Sequence, residues 1–227
     1  MECFGYGAWG SLKFIGIDLA GSPSRPTGFC ELNDRKNARC KVLFSDGEIL
    51  AAVKQSHGRV AAVDAPLALP FGRHCLEEHC RGRSHFRVCD LVLTRMRIRG
   101  FPLTIGPMRT LTSRGIRIAQ QLRQLGLSVV ETYPGAAQDI LRIPRKQYGL
   151  EALQKGLIDL GCSGDLMRRT LTGDELDAVN CALVAKEYAS GSYLAIGDPS
   201  EIMMILPKMV QRPKNRLHVN HRRNRKE

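Results

Sequence analysis

Short apolar runs that stop at an acid punctuate this chain. Phe14-Ile15-Gly16-Ile17 stops at Asp18, Val60-Ala61-Ala62-Val63 at Asp64, and Ser128-Val129-Val130 at Glu131. Unbroken apolar runs of this length, bounded by turn residues, predict strands covered on both faces. The pattern predicts a first strand over 12–18 and a turn through Ala20-Gly21-Ser22-Pro23-Ser24-Arg25-Pro26. A second strand follows over Thr27 to Leu32, then a hairpin loop at 33–37 and a third strand over Cys40 to Phe44, which together make an antiparallel meander. Ser45 and Glu48 stand at capping-box spacing ahead of a helix that runs to about His57, with Gly58 as its stop.

A fourth strand is expected over 59–64, broken by Pro66 and Pro70, and a helical stretch within 73–99. Thr110 to Leu125 has helical periodicity, with Ile116, Ala119, Leu122 and Leu125 on one side. Then come a strand over 128–132, a helix opening at Pro134, a short helix over Gly149 to Leu160, and a helix over Gly173 to Ala189 capped by Thr172 and Glu175. Tyr193 to Ile196 is the last expected strand. Three meander strands followed by alternating helices and parallel strands give an α/β class, a mixed sheet with helices on both faces.

The position of the acids carries the chemistry. An acid directly after a buried strand lies at the carboxyl end of the sheet, where open α/β folds bind ligands. Asp174 and Asp177 are spaced i, i+3 and share one helix face. Carboxylates gathered in one place repel unless a cation lies between them. Asp18, Asp64, Glu131, Asp174 and Asp177 are therefore the candidate catalytic set. Asp18, Asp64 and Asp177 are its candidate metal ligands, with two Mg2+ or Mn2+ ions as expected cofactors. Glu131 is expected to bind the second metal or to orient the attacking water. Blander roles exist: Asp174 suits the first turn of a helix, and Asp18 and Asp64 can bond turn backbone. Tyr133 is a candidate for stacking on a base or for packing in its loop. Thr112 and Arg114 are candidates for shaping the mouth of the site.

Charge adds a partner class. The 227 residues carry a formal charge of +12. Arg212, Lys214, Arg216, Arg222, Arg223, Arg225 and Lys226 against Glu227 give the tail over 212–227 a charge of +6, half the total. Basic stretches of this kind attract polyphosphate through counterion release, and a solvated, disordered end is the other reading of the tail. Arg81, Arg83, Arg87, Arg114, Arg145 and Lys146 are candidate nucleic-acid contacts. No run approaches the roughly 20 apolar residues of a membrane span, and Met1-Glu2-Cys3-Phe4 opens no signal-like segment, so a cytoplasmic protein is expected. Cys75, His79, Cys80, His85 and Cys89 concentrate soft ligands in one short segment, a candidate second metal site for zinc. An iron–sulfur cluster there needs a fourth thiolate, such as Cys40 or Cys162. Cysteines packed inward on a basic helix are the alternative.

This order of elements and acids resembles the RNase H-like (retroviral-integrase-like) superfamily. The resemblance implies an Asp on the first strand of a three-strand meander, a second acid at the end of the fourth strand, and further acids on a late helix. Asp18 and Asp64 match the first two positions, and Asp174 and Asp177 match the late-helix pair of the Holliday-junction-resolvase branch. From about residue 13 to 208 the chain also looks like a narrower group described as predicted RNase H-like nucleases. The matching strings are Gly16-Ile17-Asp18-Leu19-Ala20-Gly21, Val63-Asp64-Ala65-Pro66-Leu67, Glu131-Thr132-Tyr133-Pro134-Gly135, Asp174-Glu175-Leu176-Asp177-Ala178 and Gly197-Asp198-Pro199. The implied organisation is an RNase H-like domain over 12–208, with a Cys/His-rich basic helical insertion at about 73–100, and a basic tail over 209–227. The implied activity is hydrolysis of phosphodiesters by a metal-dependent nuclease. Two other functions fit parts of the pattern. An ATP-binding phosphotransferase of the actin and sugar-kinase type shares the topology, but needs two such domains and more residues. A noncatalytic nucleic-acid-binding protein needs only the charge.

Overall fold

The computed structural model describes residues 12–77, 79–80 and 84–208. Three antiparallel strands open the fold: β1 (Lys13–Asp18), β2 (Thr27–Asn33) and β3 (Asn37–Leu43). Helix α1 (Asp46–Ser56) leads to β4 (Val60–Asp64), which returns parallel to β1. Helices α2 (Val88–Arg95) and α3 (Gly106–Gln124) precede β5 (Ser128–Glu131), parallel to β4. Then come α4 (Pro134–Leu141), α5 (Leu150–Asp159), β6 (Ser163–Gly164), α6 (Asp165–Arg168), α7 (Gly173–Ala189), β7 (Tyr193–Ile196) and β8 (Met204–Pro207). The strands form one mixed sheet in the order β6-β3-β2-β1-β4-β5-β8-β7. Among the described residues no helix is long and apolar enough to cross a membrane.

Strand β1 shows why the sheet must be covered twice. Phe14 packs with Val60, Ala62 and Val130 under α7, α4 and α5, while Ile15 and Ile17 join Ala61, Val63 and Val129 under α1 and α3. Alternate residues thus feed two cores, which is what a continuous apolar run requires. Helix α7 is buried on every side from Glu175 to Ala185. Its apolar text therefore has no single stripe, as expected of a helix sandwiched between a sheet and other helices. The capping box expected of Thr172 and Glu175 is present, and Glu175 is further held by Arg169 at 2.6 Å.

Three expectations change. The helical stretch expected within 73–99 is the eight-residue α2, and ahead of it Arg73 Nε donates to Ser84 O at 2.5 Å. Helix α3 starts four residues earlier than its periodicity suggested, since Pro107 occupies its first turn, where a missing N–H costs nothing. Strands β6 and β8 went unread, the first two residues long and the second ending in a proline at the sheet margin. The basic tail over 209–227, with Arg81 and Arg83, lies outside the described residues.

The contact that matters most for function is between α7 and the meander. A Cβ at Gly16 would stand 1.9 Å from Ala178 O and 2.4 Å from Ala182 N, and one at Gly28 would stand 1.9 Å from Asp174 O. The helix backbone lies directly on β1 and β2, and only glycine permits that approach. Gly16→Ala is expected to lower unfolding stability by about 3 kcal/mol or to prevent folding, because a backbone cannot move aside as a side chain can. Chemical denaturation of the variant checks this.

Candidate active site

Asp18 and Asp64 are the last residues of β1 and β4, and they are partners in the parallel register. Strand parity turns both side chains toward α7, as it does Phe14, Val60 and Ala62. Asp177, one turn into α7, meets them there. The Asp18 and Asp177 side chains are 14% and 6% exposed. Gln138 on α4 donates to Asp177 Oδ1 at 2.6 Å and fixes its orientation. Lys146, in the turn before α5, places its Nζ 2.6 Å from Asp177 Oδ2 and 4.0 Å from Asp18 Oδ2. Asp174 joins Asp18 and Lys146 in lining a cleft at the mouth.

The acids pay heavily for this company. Burial, then the Asp177 charge, pushes Asp18 from 3.8 up to about 7, with Asp174 adding to the rise and Lys146 opposing it. Burial and the Asp18 charge hold Asp64 well above the usual carboxylate range, again against Lys146. The Asp64 carboxyl also hydrogen-bonds Asp18. Two such neighbours share protons near neutrality rather than ionising independently. Lys146 is held protonated: burial works against its charge, but Asp177 and Asp18 outweigh it.

Glu131 has different partners. The register pairs Glu131 with Val63, one residue short of Asp64. One step along a strand reverses the face, so Glu131 points away from Asp18 and Asp64. There Arg87 grips it with Nη1 and Nη2, each at 2.6 Å, and Leu67 N–H donates at 2.8 Å. Arg87 also bonds Asp90 and is itself buried. Glu131 is thus held in an internal ion pair, with Oε2 accepting from Arg87 and Leu67 and Oε1 from Arg87. Thr132 N–H bonds Val63 O at 3.0 Å, which places Thr132, the residue just after β5, alongside Asp64. It is buried, and among the described residues its Oγ1 has no hydrogen-bond partner. Sequence reasoning missed Thr132. Counting would have found it, since Asp18, Asp64 and Thr132 each close a five-residue run from registered starts at Phe14, Val60 and Ser128.

Two candidate phosphate contacts also turn inward. Arg87 is consumed by Glu131 and Asp90, as above. Arg114 is buried and donates to Asp46 Oδ1, Ala20 O and Phe44 O at 2.8, 2.7 and 2.6 Å, clamping the turn after β1 to the start of α1. Arg145 pairs with Asp139 and with Tyr133. Of the candidates among the described residues, Arg87, Arg114, Arg145 and Lys146, it is Lys146 that is brought to Asp18 and Asp177. The candidate soft-metal residues are not brought together: among the described residues no three His, Cys, Asp or Glu side chains stand close enough to hold a metal. Cys89 is buried against Gly197, and His85 Nδ1 bonds Thr104 Oγ1 at 2.7 Å. Cys40 and Cys162 lie by the β3–β6 edge, across the sheet from α2, which packs on β7.

The same absence applies to the oxygen ligands as they stand, with Lys146 reaching between Asp177 and Asp18. The donor set nevertheless fits Mg2+ or Mn2+. It consists of hard carboxylate oxygens, gathered against their own repulsion and already drawing a cation.

No protein-family model matches the chain. No curated protein matches it either. Among solved structures, similarity is found to Thermus thermophilus RuvC in complex with a Holliday junction substrate, at 12% identity and a TM-score of 0.46, covering 79% of this chain and 96% of that one. A second Thermus thermophilus RuvC structure matches at 12% identity and a TM-score of 0.43, covering 79% of this chain and 97% of that one.

The two kinds of acid predict opposite mutant behaviour. Asp18 binds its proton at about 7 when folded, against 3.8 when unfolded. Between those values the folded chain holds more protons, so its contribution to stability falls as pH rises from about 4 to about 7. Melting of the wild type in EDTA is expected to fall across that window, and Asp18→Asn to flatten the fall and to melt higher than wild type at pH 8. Glu131→Gln is expected to cost about 3 kcal/mol or more at neutral pH, because it breaks a buried pair and strands Arg87. Denaturant titration of the two variants side by side separates a site acid from a structural one.

Proposed function

We propose that this chain is a divalent-metal-dependent nuclease that hydrolyses phosphodiester bonds at the carboxyl ends of β1 and β4. One observation carries the reading: Asp18 and Asp64 stand side by side in register against Asp177, with their ionisation suppressed. A fold gains nothing in stability from gathering like charges in a half-buried place. The arrangement suits a group that arrives with positive charge.

Asp18, Asp64 and Asp177 are the residues that hold the metal, with Asp174 at the mouth. Mg2+ or Mn2+ bound there supplies charge neutralisation for a phosphodiester and a more acidic water. Gln138 keeps Asp177 oriented toward the centre. Lys146 has a half-exposed side chain and enough length to leave Asp177 for a phosphate oxygen, so it neutralises either the empty carboxylates or the substrate. Arg25, which lines the same cleft as Asp18 and Asp174, extends the positive wall. Thr132 offers a hydroxyl beside Asp64. The catalytic work left to the protein is positioning and electrostatics.

Labelled single-stranded and duplex DNA and RNA are expected to be cut in Mg2+ or Mn2+ and spared in EDTA. Asp18→Asn and Asp177→Asn should each lose about 100-fold or more of the rate. Salt-sensitive binding without cleavage in either metal would leave a noncatalytic binder and sink the proposal.

A further inference from the structure

On its Asp64 side the site opens into a second cavity, of about 200 Å3, whose walls are of another kind. Leu93, Phe101, Leu103, Met108, Tyr133 and Met204 enclose it, with Asp64 and Thr132 at one end. Apart from Arg99, which lies over Phe101, these apolar walls offer little to a phosphate. Arg87 reaches the cavity, but its guanidinium is committed to Glu131 and Asp90. A flat, neutral ring fits such a space, since aromatic and aliphatic walls reward planar apolar area.

The polar groups present suit the edge of a ring. Thr132 Oγ1 is buried without a partner among the described residues, and an unsatisfied buried hydroxyl costs roughly 1–3 kcal/mol until something bonds it. Glu131 Oε1, also on the lining, accepts only the Arg87 Nη2 bond among the described residues and retains a lone pair for an N–H. At the rim Phe101 is 51% exposed, with the Arg99 guanidinium 5.6 Å from its ring centre. That is an aromatic–cation pair left open to solvent. Tyr133 lies against Gly135, so its ring is braced from behind.

The cavity shares Met108 and Leu111 with the polar cleft that holds Asp18, Asp174, Arg25 and Lys146. The acids therefore sit between a charged cleft and an apolar one. A phosphodiester chain crossing them would have its backbone on one side and a base within reach of the other. Resting on the nuclease reading above, we propose that this cavity receives an unpaired nucleobase of the substrate, next to the phosphate held at Asp18 and Asp64. The base stacks on Phe101 and Tyr133 and is hydrogen-bonded by Thr132. The substrate class is then nucleic acid that is single-stranded or extrudes a base where it is cut, rather than uniform duplex.

The test uses the whole chain in EDTA with fluorescein-labelled strands, read by polarisation. The strands are a single-stranded oligonucleotide, a fully abasic strand of equal length, and the blunt duplex. The normal strand is expected to bind about 10-fold more tightly than the abasic one, the scale of stacking a base on an aromatic ring. Phe101→Ala, at an exposed position, should bring the two affinities together without changing binding of the abasic strand, and Met108→Trp, which fills the space, should also close the gap between them. Free mononucleotides should bind at least about 100-fold more weakly than the strand, since they lack the backbone contacts. Equal affinity for normal and abasic strands overturns the inference, as does an undiminished gap in both variants. So does a mononucleotide that binds as tightly as the strand, which would assign the cavity to a free nucleotide. Metal-dependent cleavage that persists with no dependence on bases sinks this inference alone. Absence of both strand binding and cleavage sinks the nuclease reading with it.

Discussion

Helix α7 lies on β1 and β2 backbone to backbone, and the site exists because of that contact. Gly16 and Gly28 leave no side chain between helix and sheet, with carbonyls of Ala178 and Asp174 in the space a Cβ would need. Two residues along β1 from Gly16, strand parity puts Asp18 on the same face. One residue before Ala178, the helix carries Asp177. The glycine that admits the helix and the acid that meets it are thus coupled by the two-residue repeat of the strand. A larger residue at 16 would lift the helix away, and Asp177 would leave with it.

That closeness sets the electrostatics. The carboxylates are shielded from water by the helix that delivers one of them, so burial heads the causes that raise Asp18 and Asp64. Lys146 relieves the strain only partly, through one short contact and one long one. The resulting cluster is tight enough to suppress ionisation of Asp18 and Asp64, and at Asp174 and Lys146 it borders a cleft. A salt bridge that served stability alone would have matched one ammonium to one carboxylate.

Most of the fold was legible because its signals are local and redundant. Capping boxes at Ser45 and Thr172 marked helix starts to the residue, and the acid-terminated runs marked β1, β4 and β5. What failed depended on tertiary partners. Arg73 stands in text that reads as helical but donates its Nε to Ser84 O. Arg87 and Arg114 look like surface charges in text, yet each satisfies buried acceptors far away in sequence. No property of an arginine's neighbours in the chain reveals that a glutamate 44 residues on will be its partner. The four candidate cations among the described residues therefore divide by fold, and of these Lys146 reaches Asp18 and Asp177.

Glu131 and Asp64 show how narrow the margin is between a site acid and a structural one. Both follow apolar runs, and both end adjacent parallel strands. They differ by a single position in register, and that position decides which face of the sheet receives the charge. On the α7 face an acid meets other acids and must share a proton or a cation. On the opposite face Glu131 meets Arg87 and a backbone N–H, and its charge is fully answered. The place beside Asp64 that Glu131 vacates falls to Thr132, a neutral hydroxyl. A further acid there would add repulsion to a cluster whose Asp18 and Asp64 already resist ionisation. A hydroxyl there leaves a polar atom that burial has not satisfied among the described residues, on the lining of the apolar cavity.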